Sequence, residues 1–177
     1  MLGTELFARD LGPAIINWDP SGDDINLYPT MGSIVVSSDL TGQVRKIYED
    51  GHGDAPVDGV PMGRLVTVTA EFTRLTLAQL AVVIHGSVAG ATNLKVPNKA
   101  GCAFYSLAKE IIIKPLCDGD TISADTTEWI HFFKAYPTEN FELNFNKDDQ
   151  RIISVTFEIY PDDTSGNVGE LYRFGPA

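Results

Sequence analysis

A chain of 177 residues, 44% hydrophobic and 21% charged, is long enough for one domain that closes its own core without a disulfide or metal staple. Thirteen Lys and Arg stand against 24 Asp and Glu, a net charge of −11. That balance excludes a nucleic-acid clamp, which works by displacing phosphate counterions, and a surface that docks on anionic lipid.

Residues 1–32 read as an irregular arm. They begin with Glu5, Arg9 and Asp10 instead of an apolar signal core. Gly12-Pro13, Asp19-Pro20-Ser21-Gly22 and Tyr28-Pro29 are turn signals within it. Ile34-Val35-Val36 opens the first β-rich run, and residues 43–48 continue it. Residues 49–63, EDGHGDAPVDGVPMG, hold four glycines and two prolines, and Glu49, Asp50, Asp54 and Asp58 without a Lys or Arg. The expectation is a long, flexible acidic loop that holds neither strand nor helix, and connections of that length in a compact domain tend to be functional.

Residues 64–74 give the clearest strand, with Val66, Val68, Ala70 and Phe72 on one face and Leu65, Thr67, Thr69 and Glu71 on the other. Thr76 and Gln79 then form a capping box. Leu77, Leu80, Ala81 and Ile84 make one face of the only convincing helix, and Gly86 is placed to end it. Val82 and Val83 fall off that stripe and are assigned to a contact with a neighbouring chain. Residues 75–94 lack charge but contain Gln79, His85, Ser87, Thr92, Asn93 and two glycines, so they do not read as a membrane span.

A loop is expected over residues 87–101. Four strand candidates follow: one centred on Ile111-Ile112-Ile113; one with Trp129, Ile130, Phe132 and Phe133; one alternating Phe141, Leu143 and Phe145 with Asn140, Glu142, Asn144 and Asn146; and one alternating Ile153, Val155, Phe157 and Ile159 with Ser154, Thr156, Glu158 and Tyr160. Short strands, turns and a single helix predict a mainly β chain, a β-sandwich or barrel-like domain with one flanking helix and a long acidic loop.

The motifs of chemistry are missing. There is no Gly-x-Ser-x-Gly elbow, P-loop, Gly-x-Gly-x-x-Gly or His-Glu-x-x-His. His52, His85 and His131 share no ligand spacing. Cys102 and Cys117 form no Cys-x-x-Cys pair and fit a reduced, cytosolic chain. Asp118-Gly119-Asp120 with Asp125 and Glu128 has the composition of a calcium loop, but Ser123 and Trp129 stand where an EF-hand needs Gly and Glu. No catalytic residue, metal or cofactor is therefore assigned.

Residues 129–163, WIHFFKAYPTENFELNFNKDDQRIISVTFEIYPDD, set an aromatic strand, a Tyr-Pro turn, a Phe-Glu-Leu-x-Phe strand, an Asp-rich turn with Arg151 and a strand ending in Tyr160-Pro161-Asp162 in order. Together with the upstream strand of Val66, Val68, Ala70 and Phe72 that runs into a helix, this resembles the major tail tube protein of long-tailed bacteriophages, from about residue 33 to 174. The resemblance implies a virion protein assembled in the bacterial cytoplasm, with subunits in hexameric rings that stack into a hollow tube. The tube is built on a tape-measure protein, meets a tail terminator and a tail tip, and passes double-stranded DNA without binding it specifically. Under it, Thr67, Thr69 and Glu71 with Asn140, Glu142 and Asn144 are expected to line the lumen. Glu49, Asp50, His52, Asp54 and Asp58 are expected in a loop between rings, and Val82 and Val83 in a contact within the ring. Two other readings are a monomeric carbohydrate-binding sandwich with Trp129 and Tyr136 as its platform, and a terminator or completion protein that forms single rings. A hydrolase using scattered carboxylates is the poorest.

Overall fold

The computed structural model describes residues 12–30, 34–40, 44–51, 54–84, 86–98, 101, 103–117, 121–138, 152–164 and 166–176. Alternation decides its centre. In β6 (Leu65–Phe72), Val66, Val68, Ala70 and Phe72 are buried while the intervening residues from Thr67 to Glu71 are half-buried. β12 (Ile153–Tyr160) buries Ile153, Val155, Phe157 and Ile159 in the same rhythm and pairs antiparallel with β6. β9 (Lys109–Cys117) and β11 (Ile130–Pro137) carry the other two apolar runs described. The described residues are mainly β with one α-helix, as the sequence predicts. Nine of the described strands form an open antiparallel sheet in the order β2 (Ile25–Leu27), β1 (Ala14–Trp18), β9, β11, β12, β6, β3 (Ile34–Asp39), with β10 (Thr121–Ile122) on β9 and β13 (Tyr172–Phe174) on β11; the described strands close no barrel. Among the described residues no helix is long and apolar enough to cross a membrane.

The sheet folds over its own core at β11. That strand meets β9 along one flank. On the other flank Ile130–Phe132 pair with β13 and Lys134–Pro137 with β12, and the register against β9 shifts between Phe132 and Ala135. Such an irregularity bends a strand and increases its twist. Trp18 on the β1 side is thereby brought to Phe157 on the β12 side, ring centroids 5.9 Å apart, within one cluster with Phe72, Phe132 and Ile111.

The expected irregular arm is instead, from residue 14 onward, a hairpin built into the sheet. β1 (Ala14–Trp18) lies between β9 and β2 (Ile25–Leu27). The turn signals were correct as boundaries. Ile15, Ile16, Asn17 and Trp18 are all buried, so the strand lacks the apolar–polar alternation that reveals a half-exposed one. Asn17, fully buried, donates through Nδ2 to Asp24 Oδ1 (2.7 Å) and Asn26 Oδ1 (2.8 Å), and its Oδ1 accepts from Lys114 Nζ (3.0 Å). Burial lowers the ammonium pKa of Lys114, opposed by the charges of Asp24 and Glu110. The expected loop over residues 87–101 contains a small ribbon of β7 (Val88–Ala89) and β8 (Leu94–Lys95).

Helix α1 (Leu77–Val83) starts at the expected capping box. Its buried side is a correction. Val82 and Val83 are 6% and 7% exposed and belong to the chain's own core, while Leu77 is 37% exposed. A helix of under two turns is oriented by where the chain leaves it, and here Val82 and Val83, with Leu80 and the preceding Leu75 packed beside them, turn to the core. Val82 and Val83, expected at a contact with a neighbouring chain, are largely buried within this fold instead.

After β12 the chain turns around Asp162, whose carboxylate accepts from the Thr164 N–H (3.1 Å), Thr164 Oγ1 (2.6 Å) and Asn167 Nδ2 (3.4 Å). Burial pushes this carboxyl up, but the bonds from Thr164 and Asn167 and the charge of Lys134 outweigh it and hold the group below the ordinary aspartate range. A depressed folded-state pKa gives stability that is present above the unfolded value and lost as pH falls through the folded one. Asp162→Ala is expected to lower unfolding stability by about 1–3 kcal/mol at neutral pH. The gap between variant and parent in urea melts should shrink below about pH 4; a gap independent of pH would refute this.

Candidate functional site

β3 (Ile34–Asp39) pairs with β6 from Ile34↔Ala70 to Asp39↔Leu65. Further out, β4 (Val44–Ile47) pairs with β5 (Asp58–Pro61) from Val44↔Pro61 to Ile47↔Asp58. These are the near and far halves of one long hairpin, offset by one residue. The expected structureless loop is therefore partly a strand. The sequence hid it because Asp58-Gly59-Val60-Pro61 combines residues disfavoured in strands, and only its partner makes it one. Gly59 has a local reason: a Cβ there would lie 3.0 Å from Val44 Cγ1.

The far half has no core beneath it. All of β5, and all of β4 except Val44, is exposed. Arg45, Ile47, Asp58 and Val60 share one face of the ribbon, and Val44, Lys46, Gly59 and Pro61 the other, by their pairing. Among the described residues, half of the exposed large hydrophobic side chains lie between positions 35 and 65, including Val35 (56%), Tyr48 (56%), Val60 (46%) and Met62 (65%). A two-stranded ribbon is marginal in water by itself, and this one carries exposed Ile47, Tyr48, Val57, Val60 and Met62 on or beside it. The tip presents Glu49, Asp50, Asp54 and Asp58, all exposed; Asp58 Oδ1 accepts from the Gly59 N–H (2.7 Å). His52 lies outside the described residues.

Thr67, Thr69 and Glu71 occupy the face of β6 opposite the core. The structure adds partners that sequence reasoning left unassigned. Ser154, Thr156 and Glu158 stand beside Glu71, Thr69 and Thr67 on β12, with Thr69 Oγ1 and Thr156 Oγ1 2.9 Å apart. Ser37 and Asp39 stand beside Thr67 and Leu65 on β3. The charged residues on this face of β3, β6 and β12 are Asp39, Glu71 and Glu158, all acids. The signal was available, since residues 153–160 alternate as 64–74 do, but nothing in sequence showed the two strands adjacent. Asn140, Glu142 and Asn144 lie outside the described residues, as does His85.

His131 is buried, with Nδ1 2.9 Å from Glu110 Oε1 and Nε2 without a hydrogen-bond partner among the described residues. Tyr136 is buried beneath Phe104, rings stacked at 4.6 Å, so it cannot share an exposed sugar platform with Trp129. Asp125 caps the 3₁₀ turn Thr126–Glu128. Among the described residues no three His, Cys, Asp or Glu side chains gather as a metal site.

No family model matches the chain, and no curated protein matches it. Among solved structures it is similar to a chain of the baseplate of the anti-feeding prophage, determined by cryo-electron microscopy with six-fold symmetry. The identity is 9% and the TM-score 0.47, over 84% of this chain and 89% of that one.

Proposed function

We propose that this chain is a structural protein of a phage-type tail and, more finely, the subunit of its tube: non-enzymatic, closing into six-membered rings that stack into a hollow conduit for double-stranded DNA. The observation that carries the reading is the long hairpin, whose far half stands clear of the core with apolar side chains exposed and acids at its tip. That is the form of a surface made to be covered by another copy. The sequence resemblance of residues 129–163 and of the strand-to-helix segment before them supports the same reading. A head-to-tail contact generates a ring if its rotation closes and an open filament if it does not, so one polar, asymmetric subunit can supply both contacts. Tape-measure, terminator and tip proteins are its expected partners in the virion.

The acid-only face of β3, β6 and β12 is assigned to the lumen. Fixed cations there would bind phosphate and hold the DNA back, whereas carboxylates leave it mobile. Concentrated protein is expected to show hollow filaments in negative stain; monomers at every concentration would refute the tube. In particles, Thr67→Lys with Thr69→Lys should still form tubes but slow DNA delivery about tenfold or more, the slowing easing as salt rises. Delivery at the parental rate would remove this face from the lumen.

A further inference from the structure

The two ends of the sheet are not alike. Asp19 N–H donates to the Glu110 carbonyl and Leu116 N–H to the Pro13 carbonyl, both 2.8 Å. Residues 13, 15, 17 and 19 therefore turn their backbone groups toward β9, and Ile16 and Trp18 turn theirs toward β2. Their partners there are Leu27 and Ile25, which leaves Asn26 facing outward. In a three-residue strand this is the one outward residue, and its carbonyl accepts from Gln79 Nε2 of α1 at 2.6 Å. At the other end, the Thr138 N–H to Thr156 carbonyl bond (3.0 Å) sets the alternation across β12 and β6. Ile34, Val36 and Ser38 of β3 then face outward, three residues on a strand that ends the sheet and carries no Lys or Pro to blunt it.

We infer that α1 is a seal on the β2 end of the sheet, fastened by Gln79, and that it keeps this edge from pairing with the β3 edge of another copy. The inference rests on reading the chain as a self-assembling subunit. Gln79 has two separable tasks. Its Oε1 accepts from the Thr76 N–H (2.9 Å) to cap the helix, and its Nε2 closes Asn26. The second task explains why this half-buried position holds an amide, since capping alone does not require a donor. Val82 and Val83 anchor the helix in the core, while clefts of about 500 and 220 Å³ flank Trp18 beside it, with Ala81 and Val82 walling both. With the seal in place the described strands leave one open end, and a sheet with one open end cannot extend head to tail. Displacing α1 supplies the second end, and the strand it admits is β3 of the next copy, the sheet's other terminal strand.

The test separates the two tasks. Gln79→Glu keeps the cap, because a carboxylate still accepts from Thr76, but it cannot donate to Asn26 and repels its carbonyl. Gln79→Met has similar length and no donor. Thr76→Ala weakens the cap and keeps the donor. In sedimentation velocity over a concentration series, Gln79→Glu and Gln79→Met should self-associate at about tenfold lower concentration than the parent and Thr76→Ala, roughly the worth of one backbone hydrogen bond. Amides of residues 25–27 should gain exchange protection in the associated state. Adding Val36→Pro, which removes an outward N–H of β3, should abolish the gain. Thresholds equal to that of Thr76→Ala, or association that survives Val36→Pro, would overturn the seal. A parent that never forms hollow filaments while Gln79→Glu pairs its edges would reject the tube and keep the seal; hollow parental filaments with an unshifted Gln79→Glu threshold would do the reverse.

Discussion

Excision of residues 44–61, with the two sides of the near hairpin joined through an Asn-Gly turn, is expected to leave a folded monomer that forms neither rings nor filaments. The removed segment is almost wholly exposed and contributes nothing to the apolar cluster around Phe157 and Phe72. Its loss should shift unfolding stability by no more than about 0.5 kcal/mol, as for surface changes away from core features. Assembly should fail entirely, because Ile47, Tyr48, Val57 and Val60, exposed apolar side chains that a neighbour would cover, are gone. In the parent, any loop residues that become fixed on assembly each cost roughly 1–2 kcal/mol of backbone entropy. The apolar burial of Ile47, Val57, Val60 and Met62 must offset that cost, which favours growth from an existing surface over spontaneous nucleation. Sedimentation velocity and negative-stain images of the excised protein are the measurements. Tubes built from it would refute the role of the hairpin.

Phe157→Ala is expected to have the largest effect on the fold. Phe157 is fully buried at the point where the two sides of the curled sheet meet through Trp18. Truncating a buried phenylalanine costs about 3–5 kcal/mol from lost transfer energy and the cavity left behind. Against a typical stability of about 5–15 kcal/mol, the variant should unfold at a much lower urea concentration. Its Trp18 emission should be altered even in the folded state. A change below about 1 kcal/mol would mean that the two sides of the sheet do not share one core.

The parts of this fold legible in sequence were those with one wet and one dry face. β6 and β12 announced themselves by alternation, and α1 by the reciprocal Thr76 and Gln79 cap. β1 did not, because it is buried on both faces and its internal asparagine is satisfied by Asp24, Asn26 and Lys114, partners the sequence cannot place. β5 did not, because its residues are turn formers that become a strand only when β4 lies beside them. The helix was found but rotated: a stripe drawn through Leu77 and Ile84 ignored that so short a helix takes its orientation from its neighbours. Of the candidate site, the acidic character of the hairpin tip and the polar face of β6 were readable. The adjacency of Thr69 to Thr156, and the second task of Gln79, are long-range facts that no local pattern encodes.

β11 has one more consequence, which concerns how this chain reaches its native form. Three ladders share it: β9 on one flank, β13 and then β12 on the other. A one-residue slip of a strand turns every side chain to the wrong face, so a misaligned β11 would spoil all three ladders at once. β9 and β12 lie close to it in sequence and β13 further on, but β1 must still travel to β9 from the other end of the chain. Closure of the β1–β9 pairing is therefore expected to be slow, as distant pairings are. In return, under the proposed assembly a subunit with a misaligned β11 would have no complete sheet to offer a neighbouring copy.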